Sequence, residues 1–508
     1  MLSSVQIEVC DDSLAPFAAL DLLRWRCVCR SWRQRWSSPH VWRQLFHNGV
    51  CFNGRHLSVE TLTFMAQLQP SVLTRLALDL SGCGIGDAGM ATLARSIRPG
   101  LRRLELSVAG CGISDKGATA LGAALPVELV ELSLDFRYCN IRQPGAEAIA
   151  SILSTGLEKL FLDFGGCIVR DGGAEAVAQK LDLSLRHLSL GFGGCHLSHP
   201  GADCVFARLP SLHDLAALSL NFYGISVKDH WLPAVDTLFF NDSLVSILLD
   251  FSLCEFGDRG LSAIAAQLPS SLHYLCLKLV GCDIGHRGVA DLATNLPQDL
   301  RQLSVDLSGC ELEDESAIAL ASAIPGSVKE LSLGFSGCSL SHIGVRAIAV
   351  GLPARLSSLI LDLSGAALGT SPSCDGGTPL VVDDGAVVLF KALPKTLVSL
   401  DLDFNTCKIG QCAAEMLAQI VSSSLRYIVE LKLDFTSCSL GMDGVCALHD
   451  AIGSLEHLLV KNVSYDAYGT DVIVAGLDAS DEDDAALQLY EPYDFCWRGF
   501  CHHYAWRR

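Results

Sequence analysis

A cysteine returns every 28 residues in this 508-residue chain: Cys83, Cys111, Cys139, Cys167 and Cys195, then Cys254, Cys282, Cys310 and Cys338. Cys407 and Cys438 follow at longer steps, and Ile225 and Ala366 hold the same slot without sulfur. Thiols in register offer two chemistries, a disulfide ladder or a set of metal-binding thiolates. They also admit a plain role, because a free cysteine packs as a small hydrophobe. Side chains stacked one coil apart point the same way, which suits packing better than disulfide geometry. The expectation is one buried free thiol per coil, in a reducing compartment, with no metal.

Four residues before each slot lies a second row: Asp79, Ser107, Asp135, Asp163, Gly191, Asn221, Asp250, Lys278, Asp306, Gly334, Asp362, Asp403 and Asp434. Eight of these thirteen are aspartate, and Lys278 reverses the sign. Carboxylates about 5 Å apart repel by somewhat under 1 kcal/mol each even in water. A row of this kind attracts a basic peptide or a cation. Alternatively, each aspartate ends a strand and accepts a backbone N–H of the next turn, repeated because the turn is repeated. The second role is favoured on these residues. The row is still the candidate partner-binding surface, with Asp79, Asp135, Asp163, Asp250, Lys278, Asp306, Asp362, Asp403 and Asp434 its charged members.

Other reactive residues are scattered. Cys496, Cys501, His502 and His503 fit no closed four-ligand zinc spacing. His196, His199 and His342 stand in separate turns without a nucleophile pattern. There is no G-x-x-x-x-G-K-(S/T), H-E-x-x-H or G-x-S-x-G motif. No catalytic residue, metal or cofactor is expected, and the chain is read as a non-enzyme.

These rows belong to a repeat. Thirteen copies follow L-x-x-L-x-L-D-(F/L)-x-G-C-x-(I/L)-x-D-x-G-A-x-A-(I/L)-A-x-x-L-P. Leu76, Leu78 and Leu80 alternate with Arg75, Ala77 and Asp79, a half-buried strand. Met90, Leu93, Ala94 and Ile97 recur at helical spacing. Pro99, Pro126 and Pro210 stop their helices. A phenylalanine column (Phe136, Phe164, Phe192, Phe222, Phe251, Phe335, Phe404, Phe435) predicts a core spine. The repeated glycines are read as turn residues.

Over residues 57–462 the pattern resembles the leucine-rich repeat, in the long variety related to ribonuclease inhibitor. The resemblance implies an α/β solenoid, a horseshoe with a parallel inner sheet and outer helices. Strands stack about 4.8 Å apart and helices about 8–10 Å, so such a stack curves and leaves a concave face for a macromolecule. The repeat is expected to span 73–462, after a degenerate first repeat at 48–72. Residues 203–247 read as irregular, and 370–382 as an insertion rich in Ser, Pro and Gly. The last strand is expected near His457–Lys461, followed by an acidic and aromatic tail at 463–508.

Residues 1–47 stand outside the repeat and hold Trp25, Trp32, Trp36 and Trp42, four of the seven tryptophans. Asp21–Trp32 (DLLRWRCVCRSW) and Ser37–Leu45 (SSPHVWRQL) resemble the F-box, a small helical module. Val5–Val9 depart from the usual opening of its first helix, and Asp11, Asp12 and Pro16 interrupt it. The resemblance implies docking on the adaptor of a cullin-type ubiquitin ligase through Leu22, Leu23, Val28, Cys29, Trp32 and Trp42. The alternative is a helical cap on the open end of the solenoid.

The formal charge of −19 argues against nucleic acid and anionic membranes as partners. No apolar run approaches 18 residues, and no secretory signal peptide is evident. The chain is read as soluble, cytoplasmic or nuclear. The function implied by both resemblances is target recognition for a ubiquitin ligase, with an unknown protein bound on the concave face. A scaffold, or a GTPase-regulating solenoid like the Ran-activating family, is the alternative; Arg137 and Arg142 would then be the residues to examine.

Overall fold

The structure, a computed structural model, describes residues 50–51, 74–97, 99–153, 156–225, 243–366, 385–425, 427–455, 458–467, 470–471 and 474–475. The F-box-like residues Leu22, Leu23, Val28, Cys29, Trp32 and Trp42, the insertion at 370–382 and the Cys/His tail lie outside the described residues. The chain forms two compact units, Met1–Phe256 and Gly257–Arg508.

In each coil, alternating leucines make a strand with one buried edge. Two glycine- or serine-rich residues then turn the chain, and the D-x-G-A segment starts a helix. In the first unit the strands Arg75–Asp79, Arg103–Ser107, Glu131–Asp135, Lys159–Asp163, His187–Gly191, Ala217–Asn221 and Ser246–Asp250 pair in sequence order, all parallel. Val50–Cys51 adds a short parallel strand against Leu78 and Asp79. The helices between them are Gly86–Ser96, Asp115–Gly122, Gln143–Ala150, Arg170–Gln179 and His199–Arg208.

The second unit repeats the plan with parallel strands Tyr274–Lys278, Gln302–Asp306, Glu330–Gly334, Ser358–Asp362, Ser399–Asp403, Glu430–Phe435 and Val460–Ala467. Its helices are Asp258–Ala266, His286–Thr294, Asp314–Ala323, His342–Gly351, Gly385–Ala392, Gln411–Ser423 and Gly441–Gly453.

Register follows the repeat, so like residues meet: Leu104, Leu132 and Leu160 are paired neighbours. The second and fourth strand positions, the cysteine slot and the inner helix face make the core. Leu76, Leu78, Leu80, Met90, Leu93 and Ala94 are all buried in one coil. The phenylalanine column is the expected spine. Phe136, Phe164, Phe192, Phe222 and Phe251 stack ring on ring at 5.8, 6.1, 6.1 and 6.0 Å. Spacings near 6 Å suit offset aromatic stacking.

Two local expectations are corrected. Residues 203–225 are regular: the helix to Arg208 passes into a short 3₁₀ turn, Leu209–Ser211, and then a paired strand. Pro210 lies in that turn, two residues beyond the end of the α-helix at Arg208, as expected of a residue that stops the helix before the next strand. The last strand starts three residues later than His457 and runs on to Ala467, where Thr470–Asp471 and Val474–Ala475 pair with it antiparallel.

Candidate interaction surface

The first, third and fifth positions of each strand face away from the helices, because strand side chains alternate. They form three rows across the coils. The fifth row is the aspartate row, and register places Asp135 beside Asp163 and Asp362 beside Asp403.

Every one of the eight aspartates turns an oxygen onto its own backbone. Oδ1 accepts the N–H two residues on: Ser81 to Asp79 (3.0 Å), Arg137 to Asp135 (3.0 Å), Gly165 to Asp163 (2.8 Å) and Ser252 to Asp250 (3.0 Å). The same bond joins Ser308 to Asp306, Ser364 to Asp362, Asn405 to Asp403 and Thr436 to Asp434. Asn221 takes the place of aspartate with an identical bond from Tyr223 at 2.9 Å. The row's first role is thus to close the turn after the strand. The gaps are filled by neighbours, since a Cβ on Gly191 would collide with the Asp163 carboxylate, and one on Gly334 with Asp306.

Burial varies along the row. Asp163 and Asp250 are almost wholly buried, whereas Asp79, Asp306, Asp362, Asp403 and Asp434 are partly exposed. Lys278 is buried and pairs in register with Asp306. Burial, with repulsion from Asp403 and Asp306, holds the Asp362 carboxyl above its ordinary range despite the bonds from Ser364. Burial also raises Asp401, where Asp403 and Asp434 add to it and Lys432, 3.6 Å away, opposes it.

Arg137 is held in the row. Its guanidinium reaches Asp135 Oδ1 and Oδ2 at 3.1 Å each and lies 3.8 Å from Asp163. Arg142 is exposed, with its N–H bound by Asp115 at 2.7 Å. Beside Arg137, Tyr138 holds a left-handed conformation (φ 55°) in the slot where neighbouring coils place Gly82, Gly110 and Gly166. An L side chain there costs about 1–2 kcal/mol. The Tyr138 ring lies against Gly166, where any Cβ would meet it at 2.8 Å, and the residue is 63% exposed.

The first row begins as an ion-paired ladder. Arg75 binds Glu105 at 2.8 Å, Arg103 lies 3.4 Å from Glu131, and Lys159 lies 3.5 Å from Glu131. It then turns neutral at His187, Ala217 and Ser246. The third row runs Ser133, Phe161, Ser189, Ser219 and Leu248.

The cysteine slot faces the core. Sγ of Cys111, Cys139, Cys167 and Cys195 donates to the carbonyls of Leu80, Val108, Phe136 and Phe164 at 2.8, 3.2, 3.2 and 2.9 Å. Cys254, Cys310, Cys338, Cys407 and Cys438 make the same bond. Burial raises the thiols of Cys139, Cys195, Cys310 and Cys338, and pushes Cys167, Cys254 and Cys407 up to about 12. The described cysteines are free thiols, and the described residues contain no group of three or more His, Cys, Asp or Glu placed to hold a metal.

Reading the glycines as turn residues missed a second aspartate row. The aspartate that starts one helix caps the next. Asp87 accepts Ser114 N–H at 2.8 Å, Ser114 Oγ–H at 2.6 Å and Gly117 N–H at 3.0 Å. Asp115, Asp171, Asp258 and Asp314 do likewise for the coils that follow. The helical glycine of D-x-G-A is there for space: a Cβ on Gly117 would lie 2.6 Å from Asp87 Oδ1 and 2.7 Å from Ile113. The fixed interval between that aspartate and the next coil's glycine was the available signal.

Among the described residues no helix is long and apolar enough to cross a membrane. The family model described as Leucine Rich repeat matches residues 76–94, 104–122, 132–150, 248–265 and 303–321. A comparison with curated proteins gives no match. Among solved structures, the chain is similar to one from the Rad7 and Elc1 complex in yeast, at 17% identity and TM-score 0.49, covering 83% of this chain and 93% of that one. It is also similar to an internalin (inlF) from Listeria monocytogenes, at 14% identity and TM-score 0.40, covering 84% and 89%. Each matched segment carries the strand, turn and helix of one coil, so these five coils are leucine-rich repeats, and the chain has the α/β architecture of a repeat solenoid.

Proposed function

We propose that this chain is the target-recognition subunit of a cullin-type ubiquitin ligase, holding a protein on the strand face and the ligase adaptor through residues 21–45. The observation that carries the recognition half is the strand face itself. Parallel strands present three registered rows of side chains, while the chain's own packing is satisfied by the opposite face. A broad registered surface is what repeat proteins use to hold a macromolecule. The charged row contributes at its rim. With Oδ1 of each aspartate engaged in the turn, Oδ2 of the partly exposed members is what a partner meets.

The adaptor half rests on the resemblance of Asp21–Trp32 and Ser37–Leu45 to the F-box. The GTPase-regulating alternative is disfavoured at Arg137, whose guanidinium already binds two carboxylates. The test is a pull-down of the full chain with the ligase adaptor, against a variant carrying Leu22→Ala, Val28→Ala and Trp32→Ala. Binding lost in a variant that stays folded by circular dichroism supports the reading. No binding by the wild-type chain overturns the ligase half and leaves a recognition scaffold.

A further inference from the structure

The residue just before each strand belongs to a row of its own, along the edge where helices return to strands. In the second unit this row is hydrogen-bonded from coil to coil. Lys329 N–H donates to the Arg301 carbonyl, Ser357 to Lys329, Val398 to Ser357 and Val429 to Val398, each at 2.7 Å, and Leu459 to Val429 at 2.9 Å. The row is therefore continuous, and its two ends differ. Arg301 and Lys329 stand at one end, Val398, Val429 and Leu459 at the other.

Both ends are open to solvent. Arg301 and Lys329 are exposed, as are Arg355 and Lys395 in the turns beside them. None of these four side chains makes an ion pair with a described residue. Against the four cations stand Asp299, Glu330 and Glu430, the last engaged by the Ser399 hydroxyl at 3.1 Å. The edge thus carries a positive excess in a chain of net charge −19. At the apolar end Leu459 is 83% exposed, Tyr427 68% and Val398 42%.

The path of the chain beyond the last coil names the occupant. Val474–Ala475 pairs antiparallel with Val460–Ala467, with Val474 opposite Val463 and Ala475 opposite Asn462. In such a pair each step forward on one strand is a step back on the other, so the chain leaves Ala475 directed toward the Leu459 end of the row. Gly476 and the residues after it lie outside the described residues. Their sequence matches the row in order: Leu477 comes first, then Asp478, Asp481, Glu482, Asp483 and Asp484. Leu459 and Lys329 are separated by four inter-strand spacings, about 19 Å at about 4.8 Å each. The stretch from Asp478 to Asp484 spans about 20 Å when extended. Lys395 and Arg355 belong to the coils two and three spacings from Leu459, within that reach. A single exposed ion pair is weak. A segment joined to its site by a short tether, however, acts at an effective concentration in the millimolar range, so several weak contacts suffice.

We propose that residues 477–484 dock along this edge, Leu477 on Leu459 and Val429, and the acidic run on Lys395, Arg355 and Lys329. The edge is then closed to an acidic segment of another protein until the tail is displaced. The docking uses neither the strand face nor residues 21–45, and is independent of the recognition and ligase readings.

The experiment treats the full chain with a water-soluble carbodiimide, which condenses an amine and a carboxylate to an amide with loss of water. Cross-links in the gel-purified monomer are then mapped by mass spectrometry. Lys329 and Lys395 are expected to join Asp481, Glu482, Asp483 or Asp484. Lys408, exposed at the opposite edge of the same unit, is expected not to. The joins should be lost in about 1 M salt, where the screening length is about 3 Å. They should also be lost in Arg355→Glu, which keeps both lysines and, at an exposed site, the wild-type melting temperature. Cross-links to Lys408 as frequent as those to Lys329 and Lys395 would mean that the tail has no preferred seat. Cross-links confined to a dimer band would mean that the edge takes the tail of a second copy. No cross-link from the acidic run, or one indifferent to Arg355→Glu, would mean that the edge does not hold it. Each of these results overturns the proposal and leaves strand-face recognition and adaptor binding standing.

Discussion

The thiol of Cys111 donates to the main-chain carbonyl of Leu80, one coil back, at 2.8 Å. That carbonyl already accepts the N–H of Cys83 in its own coil at 3.0 Å. A carbonyl oxygen has two lone pairs, and the thiol meets the second. Cysteine is suited to the slot because it is small enough for a filled core and still carries a donor. Its recurrence therefore has a packing cause and a hydrogen-bonding cause, both acting between coils.

Replacing one of these thiols should show both parts. Cys167→Ala is expected to cost about 1–2 kcal/mol in urea unfolding, for a lost weak hydrogen bond and a small void. Ala366, which fills the same slot naturally, indicates that the coil still forms. Cys167→Leu should cost more, since an overpacked core must shift its neighbours. An alanine variant as stable as wild type would remove the case for the thiol bond.

The same burial sets alkaline stability. Cys167, Cys254 and Cys407 are pushed from an ordinary value of 9.0 to about 12, so the folded state keeps these protons longer than the unfolded chain. Their contribution is whole below about pH 9 and is lost as pH rises through about 12. Mass-spectrometric mapping after brief alkylation at pH 8 should find exposed Cys412 and Cys446 modified and the slot cysteines protected.

Helix capping between coils gives the opposite pH dependence. Burial alone would raise Asp87, but hydrogen bonds from Ser114 and Gly117 outweigh it and hold the carboxyl below its ordinary value of 3.8. This contribution is complete above pH 3.8 and disappears as pH falls through the lower folded value. Asp87→Ala should destabilise by about 1–2 kcal/mol at pH 7, by analogy with other cap losses. Gly117→Ala should be worse than an ordinary helical Gly→Ala change, which normally stabilises, because its Cβ meets the capping oxygen. Thermal melts of the two variants at pH 7 and pH 3 decide the matter.

Asp401 is the carboxylate whose removal should help. Burial and the charges of Asp403 and Asp434 raise its pKa more than Lys432 lowers it. A raised carboxyl favours the protonated fold, so its benefit exists below pH 3.8 and is lost as pH rises through the folded value. Asp401→Asn should therefore raise the melting temperature at pH 7, with the gain shrinking toward pH 4. A lower melting temperature at pH 7 would show that the Lys432 pair dominates.

Phe164 stacks between Phe136 and Phe192 and is fully buried. Phe164→Ala should cost about 3–5 kcal/mol. Because repeat stability is carried by neighbouring coils, hydrogen exchange should rise most in the coils on either side.

The repeat, its strands and helices, the buried cysteine slot and the phenylalanine spine were legible in the residue pattern. Each depends on a local period, 2 for Leu76, Leu78 and Leu80 and near 3.6 for Met90, Leu93 and Ala94, that a single coil displays by itself. The turn-closing role of the aspartate row was legible for the same reason, since Asp135 bonds a residue two places on. What the sequence left open were relations between coils. Asp87 finds Gly117 thirty residues later, Cys111 finds Leu80 thirty-one residues earlier, and both partners are named only when register is fixed.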